Sequence, residues 1–316
     1  MTGHENQKAN PSKRILGIFQ IAISGVCFGF LGIFGKLAFQ NGLSIGELLS
    51  YRFFAAAILM AIGLAIFSRR RLKITSRDLA VCAALGIFGY AVFSSFYFYA
   101  ISGVSVAMAS LLLYTYPVLV ALGSRFAFNQ KLTRAQWIAL PLALTGLFVL
   151  LSGDLASPYA GSSPRALAVG SGLAAALCYA GYILVSSRYQ RAIDPLTSGF
   201  YVMLFAAIAL FVFHRPELIR LARFNPTQVL VISGIALICT VAPLVLFLSG
   251  LQKLGNTEAS LLSTIEPVTA ALLGARLLHE TLTINEWLGG GIVLTALVTT
   301  VLGSKSTTTS PAQALE

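Results

Sequence analysis

The chain has 316 residues, 57% of them hydrophobic and only 10% charged. Soluble domains carry about 25% charged residues, so this chain lacks the polar surface to cover a soluble globule, and its apolar content excludes intrinsic disorder. The formal charge of +11 does not indicate nucleic acid, because most cations sit in short gaps between long apolar runs, where they report membrane orientation.

A bilayer core about 30 Å thick needs about 20 apolar residues of helix. Ten such runs follow one another: 15–36, 47–67, 78–101, 105–125, 135–152, 166–186, 195–213, 228–250, 257–277 and 285–302. The runs are continuous rather than alternating, which argues against a β-barrel. The first follows Lys13 and Arg14 but is too long for a signal-peptide core, so it reads as a retained span. Ser152 to Arg165, rich in Gly, Ser and Pro, reads as a loop between two halves. Asp194-Pro195 and Thr283 with Glu286 are helix-start signals for spans seven and ten. From Lys305 onward the chain is a polar tail.

Counting Lys and Arg with the N-terminus inside gives fifteen in inside segments and five in outside ones. That bias predicts cytoplasmic N- and C-termini, and a bacterial inner membrane is the expected location. The arginines of His214–Asn225 run against the trend. Cys27, Cys82, Cys178 and Cys239 lie singly inside apolar runs, so they read as packing residues, with no disulfide frame or metal site.

Self-comparison reveals a repeat. Shifted by 150 residues, Ala109–Trp137 falls on Ala259–Trp287 without a gap, and eleven of the 29 positions are identical. Pro117 falls on Pro267, Thr133 on Thr283 and Trp137 on Trp287; upstream, Cys27-Phe28 matches Cys178-Tyr179 at a shift of 151. Five spans per half is an odd number, so the second half must enter the membrane from the opposite side. The predicted fold is an all-α integral membrane protein of ten transmembrane helices, built as two inverted five-helix repeats over 1–152 and 166–303, with a tail at 304–316. Inverted repeats place a substrate site near the bilayer midplane, at the repeat interface.

Each half carries a Ser-x₆-Pro span, Ser110 to Pro117 and Ser260 to Pro267. Each follows it with a Thr-x₃-Trp helix start, Thr133 to Trp137 and Thr283 to Trp287. On these motifs the chain resembles the drug/metabolite transporter superfamily, and its ten-helix EamA-type branch in particular. The resemblance implies a cavity ringed by spans one to four and six to nine, with five and ten peripheral. It also implies small polar or amphiphilic metabolites, with amino-acid-like compounds and export favoured. Many members carry Glu-Pro in both halves; here the first half has Tyr116-Pro117 and only the second keeps Glu266-Pro267.

Glu266 lies mid-span, where a charge is expensive and by default functional. It is the candidate for coupling substrate to protons. Arg52 is a candidate carboxylate clamp, the alternative being a stem that snorkels to the headgroups. Lys36, at the end of span one, is expected to snorkel, and Glu47 to favour a helix start. Tyr114 and Tyr116 lie too deep for an interface belt, and their hydroxyls need partners. Tyr116 is the repeat mate of Glu266, so the two are expected to face one cavity. Ser110, Tyr97, its mate Phe247, and Tyr179 complete the substrate-binding set. Pro117 and Pro267 are expected to kink their spans and free backbone carbonyls at Leu113 and Ser263. Small-residue stripes, Gly25 with Gly29, and Ala259, Ser263, Pro267, Ala270 and Gly274, let helices approach closely.

The leading reading is a secondary transporter working by alternating access, as a monomer or homodimer in membrane lipid. It takes a small-molecule substrate, with protons as the candidate coupling ion, no cofactor and no nucleic acid. The absence of a Walker pattern argues against ATP hydrolysis. The main alternative, an intramembrane enzyme acting on lipid-linked substrates, needs clustered His or acidic groups, and the three histidines are scattered. A structural or receptor subunit gives no reason for the repeat.

Overall fold

The computed structural model describes residues 11–67, 73–128, 132–155, 163–189, 193–216, 224–254, 262–263 and 265–303. All regular structure among them is helical, as lipid demands of a chain that must satisfy its own backbone groups. Seven helices are long and apolar enough to cross a membrane, and Arg134–Leu150 and Ile284–Thr299 are shorter apolar helices. The predicted ninth span is described from Ile265 to Leu277, with Leu262 and Ser263 before it. Ala259 and the 304–316 tail lie outside the described residues.

The helices are α1 (Pro11–Gly29), α2 (Leu31–Gln40), α3 (Ile45–Phe67), α4 (Ser76–Ala84), α5 (Val92–Gly103), α6 (Val106–Leu113) and α7 (Tyr116–Phe128) in the first half. They continue with α8 (Arg134–Leu155), α9 (Ser163–Tyr189), α10 (Pro195–His214), α11 (Pro226–Ala236), α12 (Ala242–Leu254), α13 (Ile265–Leu277) and α14 (Ile284–Gly303). A π-helical turn, Leu85–Ala91, joins α4 to α5, and a second, Leu237–Val241, joins α11 to α12. The two π turns end 150 residues apart, the spacing of the sequence repeat.

The repeated Thr-x₃-Trp motif has a local cause. Thr133 Oγ1 accepts the Gln136 amide at 3.2 Å, while Gln136 Oε1 accepts the Thr133 amide at 2.8 Å. Thr283 and Glu286 make the same reciprocal pair at 3.2 and 2.7 Å. Each is a capping box that opens a helix. Asp194 caps α10 by accepting the Thr197 amide at 3.1 Å, with Pro195 at the first helical position.

Contacts between helices obey the same shift. α1 packs on α12 and α13; its counterpart α9 packs on α5, α6 and α7. Three pairs of counterparts pack on each other: α3 on α10, α6 on α13 and α8 on α14. Glycines set the closest approaches. A Cβ on Gly289 of α14 would lie 2.5 Å from the Leu150 amide nitrogen of α8, and one on Gly29 of α1 would lie 2.7 Å from Thr269 of α13. The lipid-facing exterior is apolar, with Phe88, Phe126 and Phe213 all exposed.

One expectation needs correction. The prolines do not bend continuous helices. The chain leaves the helix at Tyr114-Thr115 and restarts at Tyr116, so Pro117 sits in a first turn, where its missing N–H costs nothing. Pro267 likewise sits in the first turn of α13. Lys36 Nζ lies 4.0 Å from Glu280 Oε1 in the α13–α14 loop.

Candidate functional site

The breaks before Pro117 and Pro267 set the polar centre of the molecule. Because α6 stops short, the Tyr114 side chain turns toward the start of α13. Its hydroxyl lies 2.8 Å from Glu266 Oε2 and 3.2 Å from the Ser263 carbonyl, which also accepts the Glu266 amide at 3.0 Å. The Tyr114 hydroxyl thus finds the partner that its depth requires. Tyr114 comes from the first half and Glu266 from the second.

A cavity of about 80 Å³ opens beside this pair. A single water needs roughly 10–15 Å³ by the same measure, so the cavity has room for several. Its polar lining is Arg52, Tyr90, Ser94, Tyr97, Tyr116 and Tyr179, besides Tyr114 and Glu266. Phe28, the repeat mate of Tyr179, lines it too.

Aromatic rings make the wall continuous. Tyr179 meets Tyr116 at 4.8 Å between centroids and stacks on Phe93 at 4.7 Å. Phe93 continues to Tyr97 at 6.1 Å and to Tyr90 at 5.6 Å, and Tyr90 meets Phe53 at 5.5 Å. Such pairs add about 0.5–1.5 kcal/mol each beyond burial, so the wall is a stiff template. Tyr97 Oη and Ser110 Oγ lie 3.2 Å apart.

Arg52, only 2% exposed, also lines the cavity. It does not snorkel. Its Nε donates to Thr240 Oγ1 at 2.8 Å, and Thr240 in turn donates to the Ile235 carbonyl at 2.8 Å. The guanidinium carbon sits 4.8 Å from the Phe53 ring centre and 5.4 Å from that of Phe98. Thr240 lies in the second π turn and Tyr90 in the first. π turns leave carbonyls without their α-helical donor, and the Thr240 hydroxyl fills that need at Ile235.

Of the residues expected at the site, Glu266, Tyr116, Tyr114, Arg52, Tyr97 and Tyr179 line one cavity. Ser110 stands behind the lining, against Tyr97. Phe247 is not among the lining residues. Tyr90, Phe93 and Thr240 escape the sequence reading. A signal exists: Tyr90 and Thr240 are mates at the 150-residue shift, and Thr240 is a polar residue inside the long apolar run Val229–Leu248.

The ends of the helices add a second polar cluster. Glu280 accepts the Val106 amide at the start of α6, at 2.9 and 3.2 Å through its two oxygens. Glu286 accepts the Ser105 hydroxyl at 3.1 Å. Burial pushes the Glu280 carboxyl up, while the Val106 amide and Lys36 draw it back. The cluster ties the α13–α14 loop to α2 and α6, and so joins the two halves at one face.

Residues 15–152 and 166–302 each match the model of the EamA-like transporter family. The chain belongs to the EamA-like transporter family. It is an integral membrane protein, and the family is one of membrane transporters. The chain is 27% identical to an uncharacterized transporter of Archaeoglobus fulgidus over 88% of its length and 93% of the relative's. It is 26% identical to the uncharacterized transporter YcbK of Bacillus subtilis, over 87% and 89%. To the uncharacterized inner membrane transporter YicL of Salmonella typhimurium it is 29% identical, over 52% and 56%. A protein of known crystal structure, 19% identical, shares the EamA-like fold with a TM-score of 0.61 over 94% of this chain and 99% of its own.

Proposed function

We propose that this EamA-like protein is a secondary transporter of ten spans, arranged as two inverted halves, that carries small amphiphilic metabolites by alternating access. The observation that carries the reading is the cavity itself. One half supplies Arg52 and Tyr114, the other Glu266 and Tyr179, and aromatic rings join them. The exchange of helix partners under the 150-residue shift supports two equivalent halves that can rock about that site.

Amino-acid-like compounds fit the chemistry: a guanidinium and a carboxyl in one aromatic-walled cavity suit a substrate with a polar head and an apolar body. Glu266 is the group to exchange a proton, because its hydrogen-bond donor comes from the opposite half and separates from it when the halves move. Export from the cytoplasm, in a bacterial inner membrane with both termini inside, is the expected direction. The test is flux in liposomes containing only this protein, with an imposed pH gradient. Substrate uptake that follows the gradient supports the reading; its absence across a library of amino acids and amphiphilic metabolites defeats it.

A further inference from the structure

The proposed transport site leaves one charge unexplained. Arg52 is nearly fully buried, yet among the described residues no carboxylate forms an ion pair with it, and its terminal nitrogens have no hydrogen-bonding partner. Its electrostatic neighbours, Tyr90, Cys239 and Tyr97, include no carboxylate. Glu266 is engaged by Tyr114.

Burying an ion is costly even after relaxation. The guanidinium is held through one nitrogen and through the two rings that cover it, which offsets part of that cost. The geometry also has a direction. Thr240 ties down Nε, and Phe53 and Phe98 cover the group. The paired terminal nitrogens, the edge that binds a carboxylate bidentately, are left for a ligand in the cavity that Arg52 lines.

We infer that Arg52 is an anion subsite, positioned by Thr240, which requires a carboxylate on the transported molecule and leaves an amine dispensable. The substrate class is thus an organic monocarboxylate with an aromatic or apolar body lying along the Phe93–Tyr97–Tyr179 wall. Thr240 is a positioning residue. Its hydroxyl accepts from Nε and donates to the Ile235 carbonyl in the last turn of α11, so Thr240 links Arg52 to the junction of α11 with the π turn. The inference rests on the transport reading only for the identity of the cavity.

The test is equilibrium binding to the full chain in lipid nanodiscs, with phenylacetate, phenylacetamide and phenethylamine as probes. Phenylacetate should bind at least tenfold more tightly than its neutral amide or the amine. Thr240→Val should weaken phenylacetate severalfold while leaving the amide unchanged, and Thr240→Ser should restore it. Arg52→Gln should erase the preference for the acid, and Arg52→Lys should keep part of it. Equal binding of the three probes to the wild type, failure of all three to bind, or full phenylacetate affinity in Arg52→Gln would overturn the assignment. If Arg52→Gln does not fold, the wild-type probe ranking and the Thr240 pair still decide. Carboxylate-selective binding without flux in liposomes would sink the transport reading and leave the anion subsite standing.

Discussion

At the scale of single residues, the site is defined by which polar groups have partners inside the protein and which do not. Glu266 has one in Tyr114, across the interface between the halves. Glu266→Gln keeps the shape and the hydrogen-bonding oxygen but cannot exchange a proton. Flux driven by a pH gradient should therefore be lost while substrate exchange at equal pH persists; unchanged gradient-driven flux would remove Glu266 from coupling. Tyr114→Phe deletes the hydroxyl from that contact. A hydrogen bond to a charged group contributes about 1.5–3 kcal/mol, so transport should fall by roughly tenfold or more, and a change of less than twofold would show that the contact is incidental.

At the scale of helices, the decisive features are small residues and interruptions. α8 and α14 approach along Gly146 and Gly289, where an added Cβ on either residue would lie 2.5–2.8 Å from backbone nitrogen of the facing helix. Backbone cannot yield as a side-chain end can. Gly289→Val should destabilise the protein by about 1–3 kcal/mol, read as an earlier thermal transition in detergent. Gly291, which faces no atom within 4 Å, is the control: Gly291→Ala should melt at the wild-type temperature or above. Neither helix lines the cavity, so Gly289→Val protein that remains folded should still bind ligand. The interruptions act in the opposite sense. The π turns and the breaks before Pro117 and Pro267 give up regular backbone bonding, and all four departures lie at or beside residues of the site: Tyr90, Thr240, Tyr114 and Glu266.

At the scale of the whole molecule, the proposed alternating-access cycle requires motion between the halves to break contacts at one face and then the other. Glu280 is the obvious tie at one of them, since it accepts the Val106 amide and faces Lys36. Its counterpart at the 150-residue shift is Gln130, an amide, so the corresponding position of the first half has no such charge. Glu280→Ala should shift the population toward conformations open at the Glu280 face. A cysteine at Tyr116 should then react faster with a polar thiol reagent supplied to that face, while Glu280→Gln, which keeps an acceptor for Val106, should change the rate less. Identical labelling rates in wild type and Glu280→Ala would show that this cluster does not control access.

Much of this protein was determined by its sequence alone. Apolar runs of bilayer length make helices because lipid offers no other partner for backbone groups. The threonines ahead of Trp137 and Trp287 cap helices because a hydroxyl can reach a free amide three residues on. Repeat arithmetic and depth in the span also pointed to Tyr116 and Glu266 facing one cavity, and both line it. Other features waited for the tertiary structure. Periodicity could not tell whether Arg52 turns to the headgroups or to the interior, because its flexible stem permits both; Thr240, 188 residues away, decided it. Lys36 meets Glu280 of a distant loop, a partner that spacing could not name. The division has one cause. Local bonding and burial in lipid act over a few residues and leave a pattern in the chain, whereas the partner of a long side chain depends on which distant helix lies beside it.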